Sequence, residues 1–440
     1  MPGYKVRHAI IPTLILLSIG GPPTPESRPS TRISLDRVAG GVYGGQLAIF
    51  NSLRRRATEE GIPVYLVGGP VRDAVLDVPA KDLDFVLIGD APALAADLAD
   101  ELGGQLTAHP RFRTATVEVE RDRVDMVTAR TEIFPSPGAL PEVSAGNLYD
   151  DLARRDFSIN AMALPLFGDF PELIDPHGGL EDLARKSVTT LHPKSFADDP
   201  TRVLRAVRYE QRLGFQITGD CLAHLRQAIN DGHVDSVSGD RWRQEFRKIF
   251  GEVRAVEILL RAIELGALAA IHPALTDGQV LTALAGEADL GPIDYLAALV
   301  MPLSATDGDE MAFRLNLHTD WARVVRDTIA LRELSPAFSG PSVKPSIVCA
   351  ALDGLDLDAI AASARRSHVP QVAARLRRYL NEWRLVRPEL TGDHLLEMGV
   401  PSGVKIGEVL RELNSAILDG LVGGEESERA LVNQIISRWS

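Results

Sequence analysis

The residues best equipped to do chemistry in this chain are Asp82 and Asp84, one leucine apart. Two carboxylates at i and i+2 in an apolar stretch are costly to bury unless a positive charge sits between them. On a β-strand these positions point to one face, so Asp82 and Asp84 share a face and Leu83 and Phe85 take the other. Asp125, in a later strand-like run, is the third candidate, with Asp122 as its neighbour and competitor. Three carboxylates and a triphosphate are what two Mg²⁺ ions, roughly 3.5–4 Å apart, require. The chemistry would be nucleotidyl transfer: one ion activates an attacking hydroxyl, and the other stabilises the departing pyrophosphate. An isolated Asp-x-Asp fits a turn or a solvated strand end just as well. The segment ahead of it favours the metal.

That segment, Gly68-Gly69-Pro70-Val71-Arg72-Asp73, reads as a glycine turn opening a short helix. Backbone N–H groups at such a turn meet phosphate. Gly68 and Gly69 permit the close approach, and Arg72 adds a cationic fork. Asp73 has two readings: a partner for a nearby arginine, or a helix cap.

The elements that must position these groups follow from spacing. A helix is expected over 47–57, a buried strand over 64–67, a helix over 70–76 with Pro70 in its first turn, and a strand over 83–88. A helix over 91–102 ends at Gly103-Gly104. The runs 114–119 and 124–127 form a hairpin across the polar turn Glu120-Arg121-Asp122-Arg123. The proline-rich stretch 134–146 reads as a mobile loop. After about Asp175 strand signals fade, and helical spacing covers 196–213, 221–229, 241–250, 253–265 and much of the chain to Trp439. The fold class is α+β: a small mixed-sheet head, then a helical neck, body and tail. The expected divisions are 1–34, 35–175, 176–270 and 271–440.

Composition sets bounds. At 440 residues the chain has ample core for several domains. A formal net charge of −13 argues against indiscriminate nucleic-acid coating, though not against a local basic groove. Cys221 and Cys349 are too few and too far apart for a disulfide framework or a zinc site, which fits a reducing, cytoplasmic setting. Lys5, Arg7 and the apolar run 9–19 look like a weak signal peptide, but Pro12 interrupts the run and no Ala-x-Ala site follows. The run is also too short to span a bilayer. Residues 1–34 are read as a disordered, dispensable extension, with an export signal as the competing reading.

The motifs together resemble the class II CCA-adding tRNA nucleotidyltransferases and their bacterial poly(A) polymerase relatives. Tyr65-Leu66-Val67-Gly68-Gly69-Pro70-Val71-Arg72-Asp73 with Asp82-Leu83-Asp84 is similar to the family's first motif. Asp151 to Met162, containing Arg154-Arg155-Asp156-Phe157-Ser158-Ile159-Asn160-Ala161, resembles its Arg-Arg-Asp-Phe-Thr-Ile-Asn-Ala block. Asp175-Pro176-His177-Gly178-Gly179 resembles the hinge before the neck, and Asp198-Asp199-Pro200-Thr201-Arg202 through Arg208 resembles the nucleotide-selecting neck helix. Ser238 to Ile249 looks like the next helical motif. A weaker C-terminal pattern lies at Leu390 to Leu395 with Gly399 to Leu410. Departures are Asp198 for a usual Glu and Pro70 for a usual Ala. No His-Asp dipeptide occurs, so the metal phosphohydrolase domain of some relatives is not expected.

The resemblance implies a polymerase β-like head, Mg²⁺ held by Asp82 and Asp84, and catalysis by Asp82, Asp84 and Asp125. It implies nucleotide binding by Gly68, Gly69, Arg72, Arg155, Asp199, Arg202, Arg205 and Arg208, with CTP and ATP as substrates and the tRNA 3′ end as acceptor. Asp199 and Arg202 would read the incoming base. Cytosine and adenine each present an amino donor beside a ring-nitrogen acceptor, and an Asp and an Arg at i and i+3 of a helix can satisfy both. Uracil and guanine present the reverse order, a mismatch costing roughly 1–3 kcal/mol per unpaired buried group. The competing reading is an intrahelical Asp–Arg ion pair. Arg241, Arg243, Arg247 and Lys248 would line a path for the acceptor stem, or form a solvated helix face. The loop near 131–149 would assist the change from C to A. Alternatives in function are a poly(A) polymerase, a partial CC- or A-adding enzyme, and a non-catalytic RNA-binding protein on the same scaffold.

Overall fold

The computed structural model describes residues 31–80 and 82–439. The expectations for the N-terminal extension therefore lie almost wholly outside the described residues. The chain folds into two compact units. The first holds the described residues up to Ala108, with Ala115–Val127 and Ala163–Ile174; the second holds His109–Thr114, Thr128–Met162 and the chain from Asp175 onward. The block Asp151 to Met162 falls in the second of these units.

The first unit is built on a six-stranded mixed sheet. Its strands are β1 (Val64–Val67), β2 (Asp84–Leu87), β3 (Gln105–His109), β4 (Thr114–Val119) and β5 (Asp122–Thr128). A later strand, Ala163–Pro165, closes the order β3-β4-β5-β2-β1-(Ala163–Pro165). β1 is antiparallel to β2, with Leu66 opposite Phe85, and to Ala163–Pro165, with Leu66 opposite Leu164. One face is apolar. Val117, Val124, Met126, Phe85 and Leu87 are buried there, as are Ile49, Phe50 and Leu53 of α2 and Leu94 and Leu98 of α4. The helices of this unit are α1 (Leu35–Ala39), α2 (Gly44–Glu59), α3 (Gly69–Val75) and α4 (Ala91–Leu102). The Phe50 and Phe85 rings meet at 6.5 Å, fixing α2 on β2. Asp90 caps α4 by accepting from the Ala93 N–H, and Gly103 ends it in the left-handed region.

The second unit opens with a hairpin of β6 (Arg130–Ile133) and β7 (Glu142–Ala145), joined by a Thr131–Ser144 side-chain hydrogen bond of 2.6 Å. The mobile loop expected over 134–146 is thus corrected: the ladder takes in 142–145, and only 134–141 connects the strands. Ala163–Pro165, the last strand of the first unit's sheet, is β8; the second unit continues through α5 (Leu148–Ala153), α6 (Gly179–Arg185), α7 (Ser195–Asp198), α8 (Arg202–Leu213), α9 (Gly219–Asn230), α10 (Gly239–Phe250) and α11 (Ala255–Glu264). Two short parallel strands, β9 (Ser187–Val188) and β10 (Gln216–Ile217), interrupt the helices. Helices then run to Glu425–Ser437, where Leu390, Leu395, Val400, Val409, Leu413, Val432 and Ile435 form a tail core. The single helix expected over 196–213 is broken at Asp199-Pro200-Thr201. Pro200 pushes the residue before it out of the helical region, and Asp199 is extended (φ −132°, ψ 94°).

Candidate active site

The carboxylates stand on the face of the first sheet opposite its apolar layer. Phe85 turns toward α2, so Asp84 points the other way and is exposed. On the adjacent strand β5, Val124 and Met126 are buried, and Asp125 between them is exposed. The Thr116 hydroxyl, at the matching position of β4, donates to Asp125 Oδ1 at 2.6 Å and fixes its orientation. Asp125 rather than Asp122 therefore joins Asp84 on the open face; Asp122 instead accepts from the Gly45 N–H at 2.9 Å.

Asp82 lies in the bend before β2, so the period-two argument that placed it on the strand is corrected. The alternation still holds, because Asp82 is exposed, Leu83 buried and Asp84 exposed. Among the described residues the three acids do not close into a group with all ligand atoms within 4.8 Å of one another; His272, Asp307 and Glu310, in the helical unit, do. The donor set of the open face is nonetheless suited to a hard divalent cation, since it offers carboxylate oxygens and no sulfur.

Gly68 is the residue before α3 and sits at φ 74°, ψ −130°, a conformation open to glycine and strained for other residues. Gly69 opens the helix, and Pro70 occupies its first turn. Arg72 is buried and donates from Nε to Asp73 Oδ1 at 2.9 Å. Of the two readings for Asp73, the arginine partner is the one found.

The remaining candidates belong to the second unit and form a dense network. The buried Asp151 accepts from Arg154 at 2.7 Å and Arg155 at 3.0 Å. Burial raises its pKa, and the two guanidiniums overcome this and leave it below the usual carboxylate range. Asp156 accepts from the Phe157 N–H at 2.9 Å, from Asn160 at 3.0 Å and from Arg205 Nε at 2.9 Å. Burial works against its charge too, but Arg205 and Asn160 hold it well below the ordinary range. Arg205, likewise disfavoured by burial, is raised by Asp156 opposite it.

Arg202 is buried and donates from Nη1 to Ser195 Oγ at 2.6 Å and from Nη2 to the Arg154 carbonyl at 2.7 Å. Its burial lowers its pKa. Arg208 reaches Glu252 at 3.2 Å and lies 4.9 Å over the Tyr209 ring, turned into the helical body. The i, i+3 picture for Asp199 and Arg202 needs correction. Arg202 begins α8, while Asp199 sits before it in extended backbone, and Asp199's salt bridge is to Arg241 at 2.6 Å. The intrahelical ion pair is thereby excluded.

Sequence reasoning assigned no role to Asp151, Asp156, Glu132, Ser195, Thr201 or Thr116. The two aspartates lay inside the quoted Arg-Arg-Asp block. A buried acid beside two arginines was the available signal. Together Arg130, Arg154, Arg155, Arg202 and Arg205 exceed Glu132, Asp151 and Asp156 by two charges. Glu245, 3.9 Å from Arg205, is matched by Lys248 at 2.7 Å, and Asp199, which also acts on Arg202, by Arg241 at 2.6 Å; Asp198 acts on Arg202 as well and leaves the excess at one charge.

Residues 64–189 match the poly A polymerase head domain, and 214–278 match the probable RNA and SrmB-binding site of polymerase A. An A-adding tRNA nucleotidyltransferase of Geobacter sulfurreducens is 31% identical over 405 residues, 87% of this chain and 46% of that one. A CC-adding tRNA nucleotidyltransferase of Deinococcus radiodurans is 31% identical over 394 residues, 87% of this chain and 91% of that one. The chain belongs to the tRNA nucleotidyltransferase family. A solved Thermotoga maritima CCA-adding enzyme complexed with tRNA is similar in structure, with TM-score 0.72, 27% identity, and coverage of 93% of this chain and 100% of that one. The matched stretches span 46%, 24% and 50% of the length of three curated relatives. Membership of the family implies a divalent metal ion. No described helix is long and apolar enough to cross a membrane.

Proposed function

We propose that this tRNA nucleotidyltransferase adds or repairs the 3′-terminal CCA of tRNA from CTP and ATP without a template, releasing pyrophosphate. The observation that carries the reading is the pair Asp84 and Asp125, exposed on one open face of neighbouring strands, with Thr116 orienting the second. Asp82 and Asp84 would hold Mg²⁺, which when bound lowers the pKa of the attacking hydroxyl and neutralises charge on the leaving group. Asp125 accepts the proton of the tRNA 3′-hydroxyl as its oxygen attacks the α-phosphate. The Gly68-Gly69 turn brings backbone N–H groups to the phosphates. The positive surplus of the second unit's arginine network suits a polyanion, with Arg155 and Arg205 as its donors; Arg208 is given a supporting role through Arg205's helix. Asp199 accepts from the amino group of cytosine or adenine, and Arg202 donates to the ring nitrogen through the second N–H of Nη2. The tRNA lies along α10 and the helical tail, and the setting is the cytoplasm.

A second reading is partial addition, favoured by the names of the two curated relatives, one A-adding and one CC-adding. Incubating the protein with tRNA ending before CCA, and with tRNA ending in CC, with CTP, ATP or both, separates these. Complete CCA on the first substrate supports the proposal; CC alone, or A on the second substrate alone, moves it to partial addition. A long A-tract supports the poly(A) alternative, and no incorporation supports a binding protein.

A further inference from the structure

The second unit holds a recess of about 320 Å³ among the helices Pro345–Leu352, Pro370–Asn381 and Val404–Leu418 and the turn Trp383–Leu385. None of its lining residues belongs to the candidate active site. Tyr379 and Trp383 are buried and give it an aromatic wall. Arg384, Arg387 and Arg411 line it from the exposed side. Arg384 donates from Nε to the Leu380 carbonyl at 2.7 Å, and Arg387 from Nη1 to the Arg384 and Val386 carbonyls at 2.9 and 2.6 Å. None of the three guanidiniums forms an ion pair among the described residues. Glu408, one turn before Arg411, is taken by Lys405 at 2.8 Å, and Asp419, which acts on Cys349, by Lys344 at 3.7 Å. Asp353 is the one acid lining the recess, so three positive charges face a single negative one in a chain of net charge −13.

We propose that this recess binds a free nucleoside polyphosphate, held apart from the nucleotide that is transferred. Guanidiniums take phosphate oxygens in pairs, and three of them closing on one cavity exceed the needs of a single phosphate. The aromatic wall suits the face of a base. Asn414 also lines the recess, and its Oδ1 is buried without a hydrogen-bond partner. A buried acceptor calls for a donor. The terminal torsion of an asparagine is soft, so a turn of the amide meets an amino group or ring N–H of the base. Duplex RNA is the competing anion, but it spreads its phosphates along a face. These cations converge instead on a cavity of the size that small molecules fill. The proposal stands whichever nucleotides the first unit transfers.

Cys349 reports on the site, because its half-buried thiol lines the recess while Cys221 is buried elsewhere. Burial, then Asp419 and Asp353, push the Cys349 thiol up to about 11, so its alkylation is slow and protection reads as a rate. The test follows alkylation of the Cys349 peptide by mass spectrometry in the full chain, without divalent metal so that no transfer occurs. The probes are ATP, pyrophosphate and tRNA. ATP should slow the reaction tenfold or more in wild type and less than twofold in the double variant Arg384→Gln with Arg411→Gln. Both arginines are exposed, and thermal melts identify a variant that fails to fold; Asn414→Leu, which removes the amide from the base side, then carries the test with a protection by ATP weakened threefold or more. Equal protection by pyrophosphate and ATP at one concentration overturns the base contact and with it the nucleotide. Protection by tRNA and not by ATP gives the recess to the RNA surface and overturns the proposal. No protection by ATP, or protection that survives in the folded double variant, overturns it as well.

Discussion

Replacing Asp84 or Asp125 by asparagine separates the site from the scaffold. Both residues are exposed, and exposed substitutions away from special features typically shift stability by no more than about 0.5 kcal/mol. The Asp125→Asn side chain would keep a carbonyl oxygen for the Thr116 hydroxyl, so the hydrogen bond at 2.6 Å survives in kind. What both variants lose is one negative charge on the open face. Stabilising transition-state charge through a carboxylate-held metal supplies several kcal/mol. At 1.36 kcal/mol per factor of ten, a loss of about 4 kcal/mol lowers the rate about a thousandfold. Single-turnover incorporation of labelled CMP or AMP into tRNA lacking its 3′ end measures this, with a thermal melt of the same preparations alongside. Unchanged melting with a rate down by about three decades is the expected outcome. A variant that keeps more than a tenth of the rate, or that melts several degrees early, refutes the assignment of that residue to the chemistry.

Gly68→Ala forces a side chain into φ 74°, ψ −130°, at a cost of order 1–3 kcal/mol; a raised KM for the nucleotide with a lower melting temperature is expected, and wild-type values for both would count against the turn's role. Asp156→Ala leaves the half-buried Arg205 without its main partner; breaking a fully buried pair costs about 3–5 kcal/mol and an exposed one at most about 1, so a loss between these should accelerate proteolysis of the native protein, whereas the double variant Asp156→Ala with Arg205→Met should lose less than the two single effects summed. Glu101 is held to about 2, from an ordinary 4.5, chiefly by its hydrogen bond with Arg56 and then Ser52. The folded pKa is the lower one, so this stabilisation is whole above pH 4.5 and is lost as pH falls toward 2. Melting temperatures between about pH 6 and 2 should fall less steeply in Glu101→Gln than in wild type; parallel curves would remove Glu101 from the acid sensitivity.

The sequence made β1 and α4 legible to the residue, because each is an apolar run bounded by its own punctuation: Gly68 after the strand, Asp90 and Gly103 around the helix. The break in 196–213 was hidden for the opposite reason. Phe196, Val203, Leu204 and Val207 keep helical phase across the gap and are all buried, so periodicity continues where the backbone does not. β6 and β7 are mostly exposed or half-exposed and show no apolar alternation. β8 is three buried residues ending in Pro165, too short for any period. In the site, Asp82, Asp84, Gly68 and Gly69 announced themselves by local spacing. Asp199's partner did not: Arg241 lies 42 residues on, and only the folded neck shows that the acid is tied to α10.

The order in which the chain visits its two units also bears on how the protein is made. The first unit takes Ala115–Val127, is left for Thr128–Met162, and is completed only by Ala163–Ile174. β1, central to the sheet that carries Asp84, pairs with β2 on one side and with β8 on the other. On the ribosome β1 therefore waits with an unpaired edge while the whole β6–β7 hairpin and the Arg-Arg-Asp block are synthesised. Open edges of this kind invite pairing with other chains, and the interval is a point of aggregation risk during translation. A fragment stopped at residue 162 would keep Asp82, Asp84 and Asp125 and still lack the strand that closes its sheet. An isolated head would have to run to Ile174 with 128–162 excised, a splice rather than a truncation.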